Sequence, residues 1–168
     1  MMNAIRILGL DPGLRRTGWG VIALDGARLS HIAHGVIVPA DGLAFSERLL
    51  WLFEKVVEVV ETYAPHEAAI EETFVTANGS STLKLGHARA AAMLAPARAG
   101  LGVAEYAAKY VKKSVVGTGG ADKVQVAFMV RRILPAAGDP SADAADALAV
   151  AIAHAHARKI NRLAGAAA

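Results

Sequence analysis

The order of the predicted elements indicates an α/β domain with a mixed β-sheet and helices on both faces. Three observations support this fold class: three strand-like segments open the chain, helices and strands alternate after them, and 168 residues suit a single domain. Apolar residues make up 54% of the chain and charged residues 20%. This composition supports a hydrophobic core and excludes an intrinsically disordered segment.

The N-terminal part is predicted to be a meander of three antiparallel strands. Residues 5–10 are apolar apart from Arg6, contain two isoleucines and are followed by the turn-forming sequence Asp11-Pro12-Gly13. Segments 19–25 and 29–38 supply the next two strands. Asp25-Gly26 between them favours a hairpin, because glycine readily adopts a positive φ.

The rest of the chain is predicted to alternate between helices and strands. Apolar residues at helical spacing indicate a helix over 44–63, with Asp41 as its cap and Pro65 beyond its end. The sequence EAAIE at 67–71 lies between two helices and is therefore predicted to be a short, buried parallel strand. The remaining predictions are a helix at 78–97 rich in glycine and alanine, a strand at 102–106, a basic loop at 109–120, a helix at 121–134, and an alanine-rich helix from Ser141 to about residue 159.

Composition also restricts the function. We expect one domain over 1–163 and a disordered tail at 164–168. The absence of cysteine excludes disulfide scaffolds, thiolate zinc sites, iron–sulfur clusters and cysteine nucleophiles. No apolar run approaches the roughly 18 residues of a membrane span, and Asp11 interrupts the apolar N-terminus, so we expect a cytoplasmic protein. A net charge of +3 and a pI near 9.4 favour contact with polyanions such as nucleic acid.

Four carboxylates occupy positions that suit a metal site. Asp11 and Glu71 each end a predicted strand, and α/β sheets bind ligands at the carboxyl ends of their strands. Asp143 and Asp146 are three residues apart, so they lie on one helix face with Cβ atoms about 5–6 Å apart. The helix after Asp146 has no polar residue up to position 153, and buried acids need a partner. An all-oxygen site suits Mg²⁺ or Mn²⁺ and two-metal phosphodiester hydrolysis.

Each of these acids also has a structural interpretation. Asp11-Pro12-Gly13 is typical of a simple turn, and Glu71 with Glu72 is compatible with a solvated loop. Acids in a first helical turn stabilise the helix dipole by roughly 0.3–1 kcal/mol each. His154 and His156 lie on different helix faces, so we interpret them as packing or surface residues rather than as joint metal ligands.

A basic segment between positions 107 and 132 favours contact with phosphates. It contains a single acid, Asp122, although a solvated surface is the alternative for any one of its basic side chains. The basic residues are Lys109, Lys112, Lys113, Lys123, Arg131 and Arg132. Phe74 lies in a polar loop at 73–81, where it either anchors the loop or stacks on an unpaired base.

Five segments of the chain resemble the RuvC family of Holliday-junction resolvases, in order and over nearly the whole length. They are ILGLDPGLRRTGWGVI at the N-terminus, AIEETF at 69–74, NGSSTLKLGHARAA at 78–91, EYAAKYVKKSVVGTGGADKVQV at 105–126 and SADAADALAVAIAHAH at 141–156. The resemblance implies an RNase H-like fold with a five-stranded mixed sheet flanked by helices. It also implies a homodimer that nicks four-way junction DNA symmetrically, leaves ligatable duplexes and works with the RuvAB branch-migration complex.

The resemblance further implies roles for individual residues. Four acids match the family's catalytic, metal-binding carboxylates, which use two Mg²⁺ ions or Mn²⁺ in their place: Asp11, Glu71, Asp143 and Asp146. The DNA-binding positions that it implies are Phe74 for base stacking and Lys112, Lys113 and Lys123 for the backbone. The helix that begins near Asn78 resembles the element that packs two subunits together.

Two other functions compete with this interpretation. The sequence Asp11-Pro12-Gly13, followed by Thr17 and Gly20, is also similar to the phosphate-binding hairpin of actin-like ATPases and sugar kinases. Those enzymes need two such domains around the nucleotide, whereas this chain supplies one. A non-catalytic junction-binding module is the other alternative, and it predicts that Asp146→Asn leaves every DNA-linked activity intact.

Overall fold

The computed structural model describes residues 4–72 and 75–166, with side chains up to residue 158. Its strands are β1 (Ile5–Asp11), β2 (Thr17–Asp25), β3 (Arg28–Ile37), β4 (Glu67–Glu71) and β5 (Val103–Tyr106). Its helices are α1 (Phe45–Tyr63), α2 (Gly79–Arg98), α3 (Ala108–Val116), α4 (Lys123–Ile133) and α5 (Ala142–Ala166), with a short 3-10 helix at Pro135–Ala137.

These strands form one five-stranded sheet in the order β3-β2-β1-β4-β5. β2 pairs antiparallel with β1 and β3, whereas β4 pairs parallel with β1 and β5. The predicted α/β class, the N-terminal meander and the parallel EAAIE strand are therefore confirmed. Leu10 lies opposite Ile70 in the parallel pair, so Asp11 and Glu71, which follow them, emerge side by side at one edge of the sheet.

Two hydrophobic layers cover the sheet. On one face, α1 and α2 pack against Leu8, Leu10 and Ile70. On the other face, α5 crosses β1 and β2, with α3 and α4 packed beside it. A methyl group at Gly9 or Gly18 would collide with the backbone of α5, so glycine at these positions lets the helix rest directly on the strands.

Helix α5 is the central element of the second layer. Residues 147–153 are at most 1% exposed, which confirms the prediction of a helix covered on both faces. Ser141 caps it as predicted, because its Oγ accepts a hydrogen bond from the backbone N–H of Ala144 at 3.5 Å. The helix extends to Ala166, past the predicted end and into the segment 164–168 that we expected to be disordered. Among the described helices, none combines the length and apolar character needed to cross a membrane.

Two local predictions are wrong. Residues 109–120 are not a loop, because most of them belong to α3, where Val111 and Val115 are spaced four apart and buried against α5. In the sequence, the lysines around these two valines make the segment look like a solvated loop. Asp41 does not cap α1 either: the N-cap is Ala44, whose backbone N–H donates to the Glu47 carboxylate at 2.8 Å. The cap therefore depends on an acid inside the helix rather than before it.

Candidate functional site

A cleft of about 270 Å³ lies at the sheet edge where β1 and β4 end. Three of the four predicted carboxylates line it, namely Asp11, Glu71 and Asp146, and two of the predicted lysines, Lys112 and Lys123, complete its charged lining. These residues come from two strands and three helices. The structure therefore brings together acids that are as much as 135 positions apart in the sequence.

Each acid is positioned by the element that carries it. Asp11 and Glu71 are placed by the parallel pairing of β1 with β4, because both strands present their carboxyl ends to the same edge. Asp143 and Asp146 lie near the start of α5, which Gly18 allows to approach the start of β2. The close contact between helix and strand therefore determines how near these aspartates come to Asp11.

Two cations hold the aspartates of α5. The Arg16 Nε donates to the Asp143 Oδ2 at 2.7 Å, and the Lys123 Nζ lies 3.3 Å from the Asp146 Oδ2. Lys123 is the first residue of α4, and the preceding Asp122 caps that helix by accepting a hydrogen bond from the backbone N–H of Gln125. Capping of α4 thus fixes the position from which Lys123 reaches the cleft.

The electrostatics of the cleft disfavour the charged form of its acids. Burial raises the pKa of Asp11 to about 7, and the negative charges of Glu71, Asp146 and Asp143 add to this effect. Burial also raises the pKa of Glu71, followed by repulsion from Asp146. The pKa of Asp146 is raised by burial even though Lys123 opposes the shift. The neighbouring lysines therefore do not fully compensate the acids, and a further cation would relieve the repulsion.

The cleft offers carboxylate oxygens as ligands, from Asp11, Glu71 and Asp146, and none of the described residues that line it is a histidine. Such oxygen ligands suit a hard divalent cation. Within the described part of the chain, no three acidic or histidine side chains are already arranged as metal ligands. Asp143 is instead paired with Arg16, and Asp146 is paired with Lys123. Binding a metal at this site would require these carboxylates to exchange their cationic partners for the ion.

The other predicted residues are placed less directly. Lys113 follows Lys112 on α3 but does not line the cleft. Phe74 lies outside the described residues, and its role stays a prediction. His154 and His156 are half-buried packing residues, hydrogen-bonded to Tyr106 and Ser114 respectively, in agreement with their interpretation from sequence. Sequence reasoning missed Arg16, although its position five residues after Asp11, beyond the turn, was a signal that it lies near the site.

The family model for crossover junction endodeoxyribonuclease RuvC matches residues 7–154 of the chain. The chain belongs to the RuvC family. This match includes Asp11, Glu71, Asp143 and Asp146, the four acids singled out above. It also includes the hairpin similar to that of actin-like ATPases, so that alternative loses its support.

Individual members of the RuvC family are similar over nearly the whole chain. The crossover junction endodeoxyribonuclease RuvC of Maricaulis maris strain MCS10 is 64% identical over 167 residues, covering 99% of this chain and 100% of that protein. The protein of the same name from Caulobacter sp. strain K31 is 63% identical over 166 residues, covering 96% and 98%. A solved structure of T. thermophilus RuvC in complex with a Holliday junction substrate matches with a TM-score of 0.86 and 33% identity, covering 94% of this chain and 96% of that chain. The RNase H-like fold expected from the resemblance is thereby confirmed.

Proposed function

We propose that this chain is a structure-selective endonuclease that resolves four-way DNA junctions by hydrolysing phosphodiester bonds. The observation that carries the proposal is the cleft that joins Asp11, Glu71 and Asp146 with Lys112 and Lys123. In a member of the RuvC family, a cleft with excess negative charge inside and lysines beside it suits a metal-dependent reaction on a polyanion. The proposed nuclease unit is the single domain over 1–163, acting in the cytoplasm.

Two Mg²⁺ ions, with Mn²⁺ as a substitute, are the cofactors that we propose for this cleft. Asp11, Glu71, Asp143 and Asp146 would hold them, because these carboxylates supply hard oxygen donors and the pKa of three of them is raised by their surroundings. When bound, such ions activate water for attack and stabilise charge on the leaving oxygen. The chain itself then needs no nucleophilic side chain.

The cationic side chains have separate roles in this proposal. Lys123 and Arg16 balance the charge of Asp146 and Asp143 before metal is present. Lys112 and Lys123 face the cleft and would contact phosphates of the strand to be cut. Lys113, next on α3, would contact the backbone outside the cleft, and Phe74 is proposed to stack on an unpaired base near the junction centre.

A homodimer is proposed to pair two such sites. The exposed face of α2 carries an apolar stripe at helical spacing, which includes Leu83 at 68% exposure and Leu94 at 59%. Gly86, Ala90 and Ala97 lie on the same face and would allow close approach of a second copy. Ala88, Ala91, Ala92 and Ala95 instead pack within the chain, in the layer that α2 shares with α1. Only part of the small-residue surface is therefore available for the subunit contact.

A two-fold dimer would place one cleft on each of two strands of like polarity. Symmetric nicks would follow, and both products would be duplexes that a ligase can seal. The RuvAB branch-migration complex is proposed as the partner that delivers the junction, supported by the resemblance of the chain to its family.

The deciding experiment compares a synthetic mobile four-way junction with a linear duplex of the same sequence, in Mg²⁺, in Mn²⁺ and in EDTA. We expect paired, symmetric, ligatable nicks in the junction alone, which disappear with EDTA. Asp146→Asn should retain binding and lose cleavage, whereas Asp139→Asn should cut like the wild type, because Asp139 is 86% exposed and paired with Arg131 on the surface. A wild type that binds the junction and cuts it with neither ion would favour the non-catalytic module.

A further inference from the structure

A second cleft of the described structure is lined by three arginines. It has a volume of about 320 Å³ and is formed by Arg15, Arg16 and Arg48 together with the connection 38–43. One acid, Asp41, is also part of its lining. This arginine cleft therefore contains three guanidinium groups against a single carboxylate.

Internal contacts hold the loop that carries Arg15 and Arg16. The hydroxyl of Thr17, which is 1% exposed, donates to the Gly13 carbonyl at 3.2 Å and accepts from the Gly13 backbone N–H at 3.3 Å. The Arg48 Nη2 donates to the Leu14 carbonyl. The loop is thus tied to β2 on one side and to α1 on the other, so the arginines are presented from a fixed backbone.

The charges of this cleft are largely uncompensated. Over the described residues, neither Arg15 nor Arg48 forms an ion pair with an acid, and Arg16 uses only its Nε on Asp143. The planar guanidinium group matches the geometry of a phosphate group, which it binds through paired N–H donors. A concave surface with several such groups is suited to a phosphate rather than to an extended peptide or an apolar ligand.

We propose that the arginine cleft binds a backbone phosphodiester of the DNA strand that enters the carboxylate cleft. Arg16 connects the arginine cleft to the start of α5, because its side chain lines that cleft while its Nε binds Asp143. Asp143 lies one helical turn before Asp146, which lines the carboxylate cleft. The bound phosphate is therefore close to, but distinct from, the phosphate to be cut. This inference rests on the proposed nuclease function and adds a positioning site formed by residues other than Lys112 and Lys123.

Arg15→Ala is the variant that tests the site. Arg15 is exposed, and it has no hydrogen bond to another described side chain whose loss could unfold the protein. Arg28→Ala is the matched control: it removes the same charge from an exposed arginine in the hairpin at the far ends of β2 and β3. Junction binding is measured by fluorescence anisotropy in EDTA over a series of salt concentrations, and cleavage is measured in Mg²⁺ under single-turnover conditions.

We expect Arg15→Ala to weaken junction binding roughly 10-fold, since one charge-assisted contact is lost. The number of phosphates obtained from the slope of log K against log salt should fall by about one, and cleavage at subsaturating protein should slow in proportion to the loss of binding. Arg28→Ala should leave the slope unchanged. Equal effects of the two variants would show that Arg15 contributes only general charge, and this result would overturn the proposal.

Neutral methylphosphonate linkages, placed one at a time along the junction strand, locate the phosphate. One linkage near the cut site should weaken the wild type and not weaken Arg15→Ala further. If no single linkage shows this loss of additivity, the site does not hold a defined phosphodiester.

A titration with inorganic phosphate distinguishes binding of a free anion from binding of DNA. Phosphate binding that depends on Arg15, without an effect of Arg15→Ala on DNA binding, would also overturn the proposal. Absence of cleavage by the wild type would instead refute the proposed nuclease function, and the phosphate contact would remain measurable in EDTA.

Discussion

Strand β4 carries a glutamate at each end, on the same face of the sheet and against the same helix, α5. At its start, the Glu67 carboxylate accepts hydrogen bonds from the Arg158 Nε and the His154 Nε2, both at 2.8 Å. At its end, Glu71 faces Asp146 in the carboxylate cleft. The two acids are four residues apart and share a backbone conformation, so their surroundings alone make them different.

Their pKa values move in opposite directions. Burial on its own raises the pKa of Glu67, but the hydrogen bonds and charges of Arg158 and His154 outweigh burial and lower it. Burial raises the pKa of Glu71, and the charge of Asp146 raises it further. The fold therefore stabilises the negative charge of Glu67. It disfavours the negative charge of Glu71, and an added cation would stabilise that charge.

The contacts at the Glu67 end of β4 also connect structural elements. The Tyr106 hydroxyl lies 2.8 Å from the His154 Nδ1, and its ring stacks on Tyr110 of α3 with centroids 5.2 Å apart. The contacts of Glu67, His154 and Tyr106 thereby tie β4, β5 and α3 to α5. We infer that the contacts of Glu67 stabilise the fold, whereas Glu71 serves the proposed metal site.

The sharpest test of this contrast is cleavage by matched glutamate variants. We expect Glu71→Gln to slow junction cleavage by roughly 10³-fold, because loss of a carboxylate proposed to hold the catalytic metal would remove several kcal/mol of transition-state stabilisation. Glu67→Gln should stay within about 3-fold of the wild type. Rates are compared under single-turnover conditions at a temperature where circular dichroism shows both variants folded. Similar losses in both variants would mean that the two ends of β4 do not have separate roles.

Removal of the most perturbed acid should stabilise the metal-free protein. The pKa of Asp11 is raised from 3.8 to about 7, so the folded state holds its proton more tightly than the unfolded state. The contribution of Asp11 to stability is therefore full below about pH 4 and is lost as pH rises through 7. Asp11→Asn should thus be more stable than the wild type at pH 8 in EDTA, by about 2–3 kcal/mol, and this gain should vanish near pH 4. Urea unfolding at the two pH values measures this gain, and a destabilised variant at pH 8 would contradict the raised pKa of Asp11, which burial causes first and repulsion second.

At the opposite end, Glu67→Gln should destabilise the fold by about 2 kcal/mol at pH 7, a value reduced for partial exposure of the group. Because the pKa of Glu67 is lowered on folding, its contribution is present above the unfolded pKa and is lost as pH falls through the folded pKa. The difference between wild type and variant should consequently narrow below about pH 4. Urea midpoints at pH 7 and pH 3.5 provide the measurement, and a constant difference would argue against a charged Glu67 in the native state.

The smallest expected effect is stabilisation by added metal. At a Mg²⁺ concentration ten times its dissociation constant, the free energy of unfolding should rise by about 1.4 kcal/mol. At one fixed Mg²⁺ concentration, the increase should be larger at pH 8 than at pH 5.5, because protons compete with the ion for Asp11 and Glu71 and so raise its dissociation constant at the lower pH. The Glu71→Gln variant should lose most of this stabilisation by Mg²⁺, and the Glu67→Gln variant should keep it. Thermal unfolding with and without Mg²⁺ tests this, and equal stabilisation of both variants would place the ion elsewhere.

Much of this site was predictable from local sequence. Strand-end positions identified Asp11 and Glu71, and a three-residue spacing in an otherwise apolar helix identified Asp143 and Asp146. Helix α3 was missed because its apolar signal consists of two buried valines, Val111 and Val115, among lysines that are typical of a solvated segment. A period of four residues is weak evidence in so short a helix until the packing surface of α5 is known.

The sequence alone determined which acidic residues belong to the site, which of them end strands, and that the helix carrying Asp143 and Asp146 is buried. These properties follow from short-range patterns of polarity. Tertiary structure decided the electrostatic partners. Arg16 reaches Asp143 across 127 residues of sequence, and Arg158 reaches Glu67 across 91. Such pairings depend on which elements pack together and at what register. For this reason, the opposite environments of Glu67 and Glu71 follow from the folded arrangement and not from either glutamate's neighbours in the chain.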